Sequence, residues 1–286
     1  MGKRIVVFLL ALCLISISLY GCSGRAEITV GGTKVSNDVT AYFKTLVKEG
    51  EDVKPLASRY VAVNSEFKNK GLSVPASKRA ALSEKVNDLW HLYGSYYESK
   101  GISKETIYKI ELSKVYETLL LEERYSENGE SPLSESDIKA YFRDNYASIR
   151  FVTGYLFDVD ENGTTEMTEA QKNALTSSFN AAATAINGGT DISEAISLLG
   201  SPEIHSAVVS STDSGSFPDG FFDAVKKLDT NKSAAIVLGS YVFLVQRMDA
   251  EDGEYECYSE YRSDCLYQMK GEEFEKIVED LAKQYK

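Results

Sequence analysis

Ile149-Arg150-Phe151-Val152-Thr153-Gly154-Tyr155-Leu156-Phe157 is where the chain changes character. Upstream, apolar residues recur every three or four positions. Within this stretch both alternating sets are largely apolar, the pattern of a strand covered on two faces. Residues 158–163 read as a turn. Thr168 and Gln171 have capping-box spacing for a helix to about residue 186 that turns Leu175, Phe179, Ala182 and Ile186 inward, and Gly188-Gly189 stops it. Asp191 and Glu194 open a shorter helix, residues 206–210 a brief strand, and Phe221, Ala224, Val225 and Leu228 mark another short helix. Residues 234–238 and 241–245 are strands joined by Gly239-Ser240, a tight hairpin signal. The predicted order is β-α-α-β-α-β-β.

Working back toward the N-terminus, the pattern is helical. Ser36 and Asn37 are cap residues before Val39, Phe43 and Leu46, and a second helix covers about 53–69. Lys70-Gly71-Leu72-Ser73-Val74-Pro75 breaks it. A long helix follows with Leu82, Val86, Leu89 and Tyr93 on one stripe, and Ser103 caps another with Tyr108, Leu112, Val115 and Leu119. After a break at 127–132, Ser134 opens a helix carrying Ile138, Tyr141 and Phe142. At the far end, residues 271–286 form a helix with Phe274, Ile277 and Leu281 on one face. That face needs a cover, and the N-terminal helices supply one if the α/β part is an insertion. The class predicted is α+β. Residues 1–21 read as a signal, 22–35 as a tether with a short strand at Ile28-Thr29-Val30, and 36–148 as a helical domain. Residues 149–249 read as the mixed domain, and 250–286 as a cysteine-containing linker plus a C-terminal helix on the N-terminal domain.

The signal is short: Lys3 and Arg4, an apolar run over 6–19, then Leu19-Tyr20-Gly21-Cys22. It resembles the cleavage and acylation box of bacterial lipoproteins, which implies lipid on Cys22 and a body outside the cytoplasm. Without Lys3 and Arg4, the formal net charge of −12 becomes about −14. That excludes nucleic acid, which needs a basic stripe, and keeps the body off anionic lipid. Cys257 and Cys265, eight residues apart in an exported chain, are candidates for a disulfide. His91 and His205 stand without nearby ligand partners, so neither a metal nor another cofactor is expected. Both histidines and Asp213 read as ordinary surface or satisfied residues, and no nucleophile-histidine-acid set for a hydrolase is visible.

Residues 150–247 resemble the parvulin fold of peptidyl-prolyl isomerases. The resemblance is carried by Thr153-Gly154-Tyr155-Leu156-Phe157, by Asn187-Gly188-Gly189-Thr190-Asp191-Ile192, by the run from Phe221 to Leu228, and by the closing hairpin. Residues 36–145 are similar to the helical chaperone domain of SurA- and PrsA-type foldases, through Phe67-Lys68-Asn69-Lys70-Gly71-Leu72 and Gly101-Ile102-Ser103-Lys104-Glu105. The lipoprotein signal fits the PrsA-type branch, which implies the outer face of a Gram-positive cytoplasmic membrane. Active parvulins carry histidines at the positions matching Gly154 and Tyr241, and both are missing here. Phe221 matches the residue that cradles the proline ring. The resemblance therefore implies a degenerate isomerase site with no catalytic residue.

The remaining function is binding. The chain has 18 Tyr and 12 Phe, and tyrosine gives contact area at modest entropy cost. Trp90, Tyr93, Tyr96, Tyr97, Tyr108 and Tyr116 are the residues expected to hold unfolded or secreted polypeptides. An active prolyl isomerase, a solute-binding lipoprotein and a structural envelope protein are the alternatives, and a homodimer is left open.

Overall fold

Gly31 and Gly32, with φ of 52° and 75°, close a two-residue hairpin between β1 (Ile28–Val30) and β2 (Thr33–Val35). Two consecutive residues with positive φ suit the right-handed twist of a hairpin, and glycine adopts them without cost to a Cβ. The computed structural model describes residues 28–160, 163–212 and 215–285. The signal, Cys22 and Asp213 lie outside the described residues. The chain divides into two compact units, one running to Pro132 and resuming at Lys270, the other spanning Leu133–Met269.

In the first unit the hairpin leads into α1 (Asn37–Lys44), α2 (Lys54–Asn69), α3 (Ala76–Ser99) and α4 (Lys104–Arg124). Ser103 caps α4 by accepting from the Thr106 backbone N–H, and the Thr106 hydroxyl donates to Asp38 Oδ2 at 2.6 Å. Val30, Val35, Val39, Phe43, Ala57, Val61 and Ile110 form its core. The last turns of α9 (Tyr258–Lys283) complete it, burying Phe274 and Val278. Arg59 on α2 donates to Glu275 on α9 at 2.7 Å and to Glu117 on α4 at 2.5 Å. Tyr285 closes the unit: its carbonyl accepts from Ser58 Oγ at 3.1 Å. A Cβ on Gly31 would lie 2.7 Å from the Tyr285 ring, so the turn glycine is also needed for the approach of the chain end.

The second unit runs α5 (Glu135–Asn145), β3 (Tyr146–Tyr155), a β4–β5 hairpin (Phe157–Asp160, Gly163–Glu166), α6 (Glu169–Asn187), α7 (Ile192–Ala195), β6 (His205–Ser210), α8 (Phe221–Lys226), β7 (Ser233–Leu238) and β8 (Tyr241–Arg247). The sheet order is β6-β3-β8-β7, antiparallel throughout. Thr168 and Gln171 form the capping box of α6. Phe179, Ala182 and Ile186 of α6 pack on Val152, Val242 and Leu244. Phe221 and Val225 of α8 pack on the opposite face with Ile149, Ile236, Phe243 and Val245. The two-sided burial of β3 is why its sequence is apolar in both phases. The start of α9 docks on α5, with Arg262 forked on Glu135 at 2.8–3.1 Å.

Several sequence expectations change. The unit boundary falls at Leu133, so α5 belongs with the sheet rather than with the helical domain. The turn expected at 158–163 is widened into the β4–β5 hairpin. The C-terminal helix begins at Tyr258 instead of residue 271. Tyr258, Cys265 and Leu266 are buried at helical spacing in what was taken for a linker. The Cys257–Cys265 disulfide is corrected outright, since both thiols are free and buried. Cys257 accepts the first backbone bond of the helix from Tyr261, so the pair is separated by helical rise, about 12 Å over eight residues. A disulfide requires Cα atoms about 4.4–6.8 Å apart. Among the described residues, no helix is long and apolar enough to cross a membrane.

Two measurements test this packing. Arg59→Met leaves Glu117 and Glu275 half-buried and unpaired, and should lower the stability of the first unit by about 1–2 kcal/mol, read as an earlier denaturation midpoint. Burial pushes the Cys257 and Cys265 thiols up to about 11. Both should therefore resist alkylation in the native protein at pH 8 and react together once it is unfolded, with mass spectrometry showing no bridge under oxidising conditions.

Candidate functional site

In the sheet unit, alternation along the strands decides which side chains meet. β3 and β8 pair Thr153 with Phe243, Gly154 with Val242 and Tyr155 with Tyr241. Phe243 and Tyr241 lie on the α8 face, whereas Val242 lies on the α6 face. Gly154 follows Val242: a Cβ built there would sit 2.6 Å from the Phe179 ring and 2.9 Å from Val242 Cγ1. The structure brings Phe221 and Tyr241 to one face and puts the Gly154 position on the other, so the three do not line one groove. Toward the β8 hairpin end, the β3 residues in the phase that faces Phe221 are Phe151, Thr153 and Tyr155, continuing Ala147 and Ile149.

That face carries a continuous run of rings. Phe221, 2% exposed, is stacked by Phe217 with centroids 4.2 Å apart and planes at 6°. Phe243 meets Phe221 edge-on at 4.9 Å, and Tyr241 leans on Phe243 at 5.8 Å. Phe217 also meets Phe151 at 5.3 Å, and His205 lies 5.5 Å from Phe151. One flat surface of Phe221 is thus covered by this chain's own Phe217. Phe217 lies in the loop four residues before Phe221. Its aromatic character one helical approach before Phe221 was the signal available in the sequence. His205 is an exposed residue on edge strand β6. Among the described residues, no group of three or more His, Cys, Asp or Glu is placed to hold a metal.

In the helical unit, the six aromatic candidates separate into two kinds. Tyr116 stacks on Phe67 at 3.9 Å and 11°, a contact between α4 and α2 that belongs to the core. Tyr108 packs with Leu82, Val86, Ile102 and Ile107. Both are half-buried. The other four gather near the C-terminal end of α3. Tyr97 is their hub, with Tyr96 at 5.7 Å, Trp90 at 6.4 Å, Tyr93 at 6.5 Å and Tyr42 of α1 at 6.4 Å. Burial raises the Tyr97 hydroxyl pKa, and the nearby Tyr42 and Glu111 add to this. Trp90 lies back against Gly94, where a Cβ would come within 3.2 Å of the indole.

On this half-buried base stand exposed apolar groups: Leu92 at 67%, Tyr93 at 52% and Tyr96 at 49%. Leu92 was not singled out from the sequence. It is one helical turn before Tyr96. Along all 24 residues α3 buries only Leu82, Val86 and Gly94, so its C-terminal half is a helical arm with apolar groups facing water. The same unit has an apolar cleft of about 650 Å³ whose walls include Val30, Pro55, Leu56 and Ala282. Both surfaces present apolar groups that adhesion to another apolar surface would cover.

No family model matches the chain, and no curated protein matches it. Among solved structures it is similar to the foldase protein PrsA from Streptococcus pneumoniae, at 13% identity over 91% of this chain and 93% of that one, TM-score 0.43. It is similar also to PrsA from Lactococcus lactis, at 14% identity over 88% of both chains, TM-score 0.38. PrsA from Bacillus subtilis aligns at 13% identity over 92% of this chain and 93% of that one, TM-score 0.36.

The strand parity yields a sharp expectation. Gly154→His will not create an isomerase site, because its side chain enters the α6 interface. The variant should lose about 2 kcal/mol or more of stability through overpacking, seen as a lower unfolding midpoint, with no gain in prolyl-peptide turnover.

Proposed function

We propose that this chain is a chaperone that holds non-native polypeptide on the exposed aromatic face of α3, outside the cytoplasm, with prolyl isomerase activity lost. The observation that carries the proposal is the exposure of Leu92, Tyr93 and Tyr96 on α3, with Tyr93 and Tyr96 packed against Tyr97, which stacks on Trp90. Leaving such groups in water forgoes about 25 cal/mol for each Å² of apolar area that burial would remove. A non-native segment supplies that cover, and tyrosine grips it with two soft torsions and a polar tip. The signal ending in Cys22 supports a lipid tether to the outer face of the membrane, and the acidic composition supports a body held away from that surface.

The geometry of the sheet unit supports the reading that isomerase activity is lost. Lowering an imide barrier of about 20 kcal/mol requires an apolar seat for the proline and polar groups aimed at the twisted bond. Phe217 fills the seat on Phe221, and the Gly154 position faces away from it.

The mature chain should suppress aggregation of a chemically denatured client in a light-scattering assay. Replacing Leu92, Tyr93 and Tyr96 together by serine should reduce that suppression at least severalfold, with unchanged helicity and melting temperature. The same preparations should show no turnover of a proline peptide above the uncatalysed rate. Undiminished suppression by the triple variant, or brisk turnover, would contradict this reading.

A further inference from the structure

The outer edge of the four-stranded sheet has features that neither the packing nor the α3 surface uses. β7 is the last strand in the order β6-β3-β8-β7. Its register with β8 starts at Leu238↔Tyr241 across a two-residue turn and runs without a bulge to Ser233↔Gln246. In an antiparallel pair, residues alternate between bonding the partner and pointing away from it. Leu238, Ile236 and Ala234 therefore bond β8, and Ser233, Ala235 and Val237 direct their N–H and C=O groups outward.

Asn187, at the end of α6, bears this out. Its side-chain Nδ2 donates to the Ser233 carbonyl at 2.9 Å, and its Oδ1 accepts the Ser233 N–H at 2.9 Å. A carboxamide here does what the backbone of a neighbouring strand would do. The first outward position of the edge is thus satisfied by a peptide-like group. The next two, Ala235 and Val237, pair with no other strand or side chain among the described residues.

The edge also lacks the usual protections. Ser233-Ala234-Ala235-Ile236-Val237-Leu238 contains no charge and no proline, and Val237 is 46% exposed. Natural edges are normally blunted by lysine, proline or a bulge.

We propose that β7 is a second docking element, on which an extended segment of non-native polypeptide adds as a fifth strand along Ala235 and Val237. This rests on the reading that the chain takes non-native polypeptide as its ligand, but it uses main-chain recognition in place of aromatic adhesion. The occupant needs free N–H and C=O groups in extended conformation, with apolar side chains to lie beside Val237 on one face and Ile236 and Leu238 on the other. A second folded copy fits poorly. A stable interface needs about 1,000 Å² or more, the open edge is only two outward positions long, and each copy carries a formal charge of −12.

The test uses the mature chain and a fluorescent hexapeptide of alternating valine and threonine, compared with the same peptide N-methylated at alternate residues. The outward N–H of Val237 makes no ladder bond, so Val237→Pro removes a docking donor while leaving the β7–β8 pairing intact. Anisotropy titration should show binding of the plain peptide. The affinity should drop at least about fivefold with Val237→Pro and with the methylated peptide, the scale of a lost hydrogen bond. The Leu92, Tyr93 and Tyr96 serine variant should bind the peptide like the wild type, so failure of the α3 reading shows only in the aggregation assay. If Val237→Pro disturbs the fold, Val237→Lys and the methylated peptide decide the matter. Equal binding of the two peptides, no binding, or a concentration-dependent dimer abolished by Val237→Lys without peptide binding would overturn the proposal.

Discussion

The helical unit depends on closure by the chain's own end. Its β1–β2 hairpin and α1–α4 leave a face that the last turns of α9 cover, with Arg59 bridging Glu117 and Glu275 and Tyr285 seated against Gly31. These are among the most distant contacts in sequence, and such closure carries a loop-entropy cost that grows only slowly with the length enclosed. An insertion the size of Leu133–Met269 is therefore thermodynamically tolerable between the two parts of one fold. Arg59, half-buried and hydrogen-bonded to both Glu117 and Glu275, penalises any other placement of the terminal helix.

With α9 covering the α2 side, the α3 arm is released from core duty. A helix that buried its full apolar complement could not present Leu92, Tyr93 and Tyr96 to water. The arm is anchored by Leu82 and Val86 near its start and by the contact of Tyr97 with Tyr42 near its end. It is thus held at both ends, and under the proposed reading that lowers the ordering cost of binding. Glu111 reinforces the same region. Burial opposes its ionisation, but Lys114 and Lys85 more than offset this and hold its carboxyl below the usual glutamate range.

In the sheet unit the governing constraint is parity. A strand buried on both faces gives each side chain one of two addresses, and a shift of one residue exchanges them. Gly154 has the address of the α6 core, where only the absence of a Cβ admits the Phe179 ring. Phe217 and Phe221 take the other face and satisfy each other. Among the described residues, the same parity leaves the outward backbone groups of Ala235 and Val237 unpaired at the sheet edge. The closed seat on one face and the open edge of β7 are thus consequences of a single register.

By itself the sequence determined most of the elements and their order, because hydrophobic period and caps are local. Ser103, Ser134, Thr168 and Asp191 open helices in the structure as their side chains predict, and the Gly239-Ser240 hairpin forms between the strands read there. The start of α9 was misjudged because two cysteines suggested a bridge, although Tyr258, Tyr261 and Cys265 already had helical spacing. Only the tertiary structure decided which of two apolar phases of β3 faced which helix, since a doubly buried strand carries no polar face to mark its direction. It likewise decided that Tyr116 is half-buried against Phe67 while Tyr93 is exposed. Burial depends on what packs from elsewhere in the chain, and spacing along one helix cannot report that.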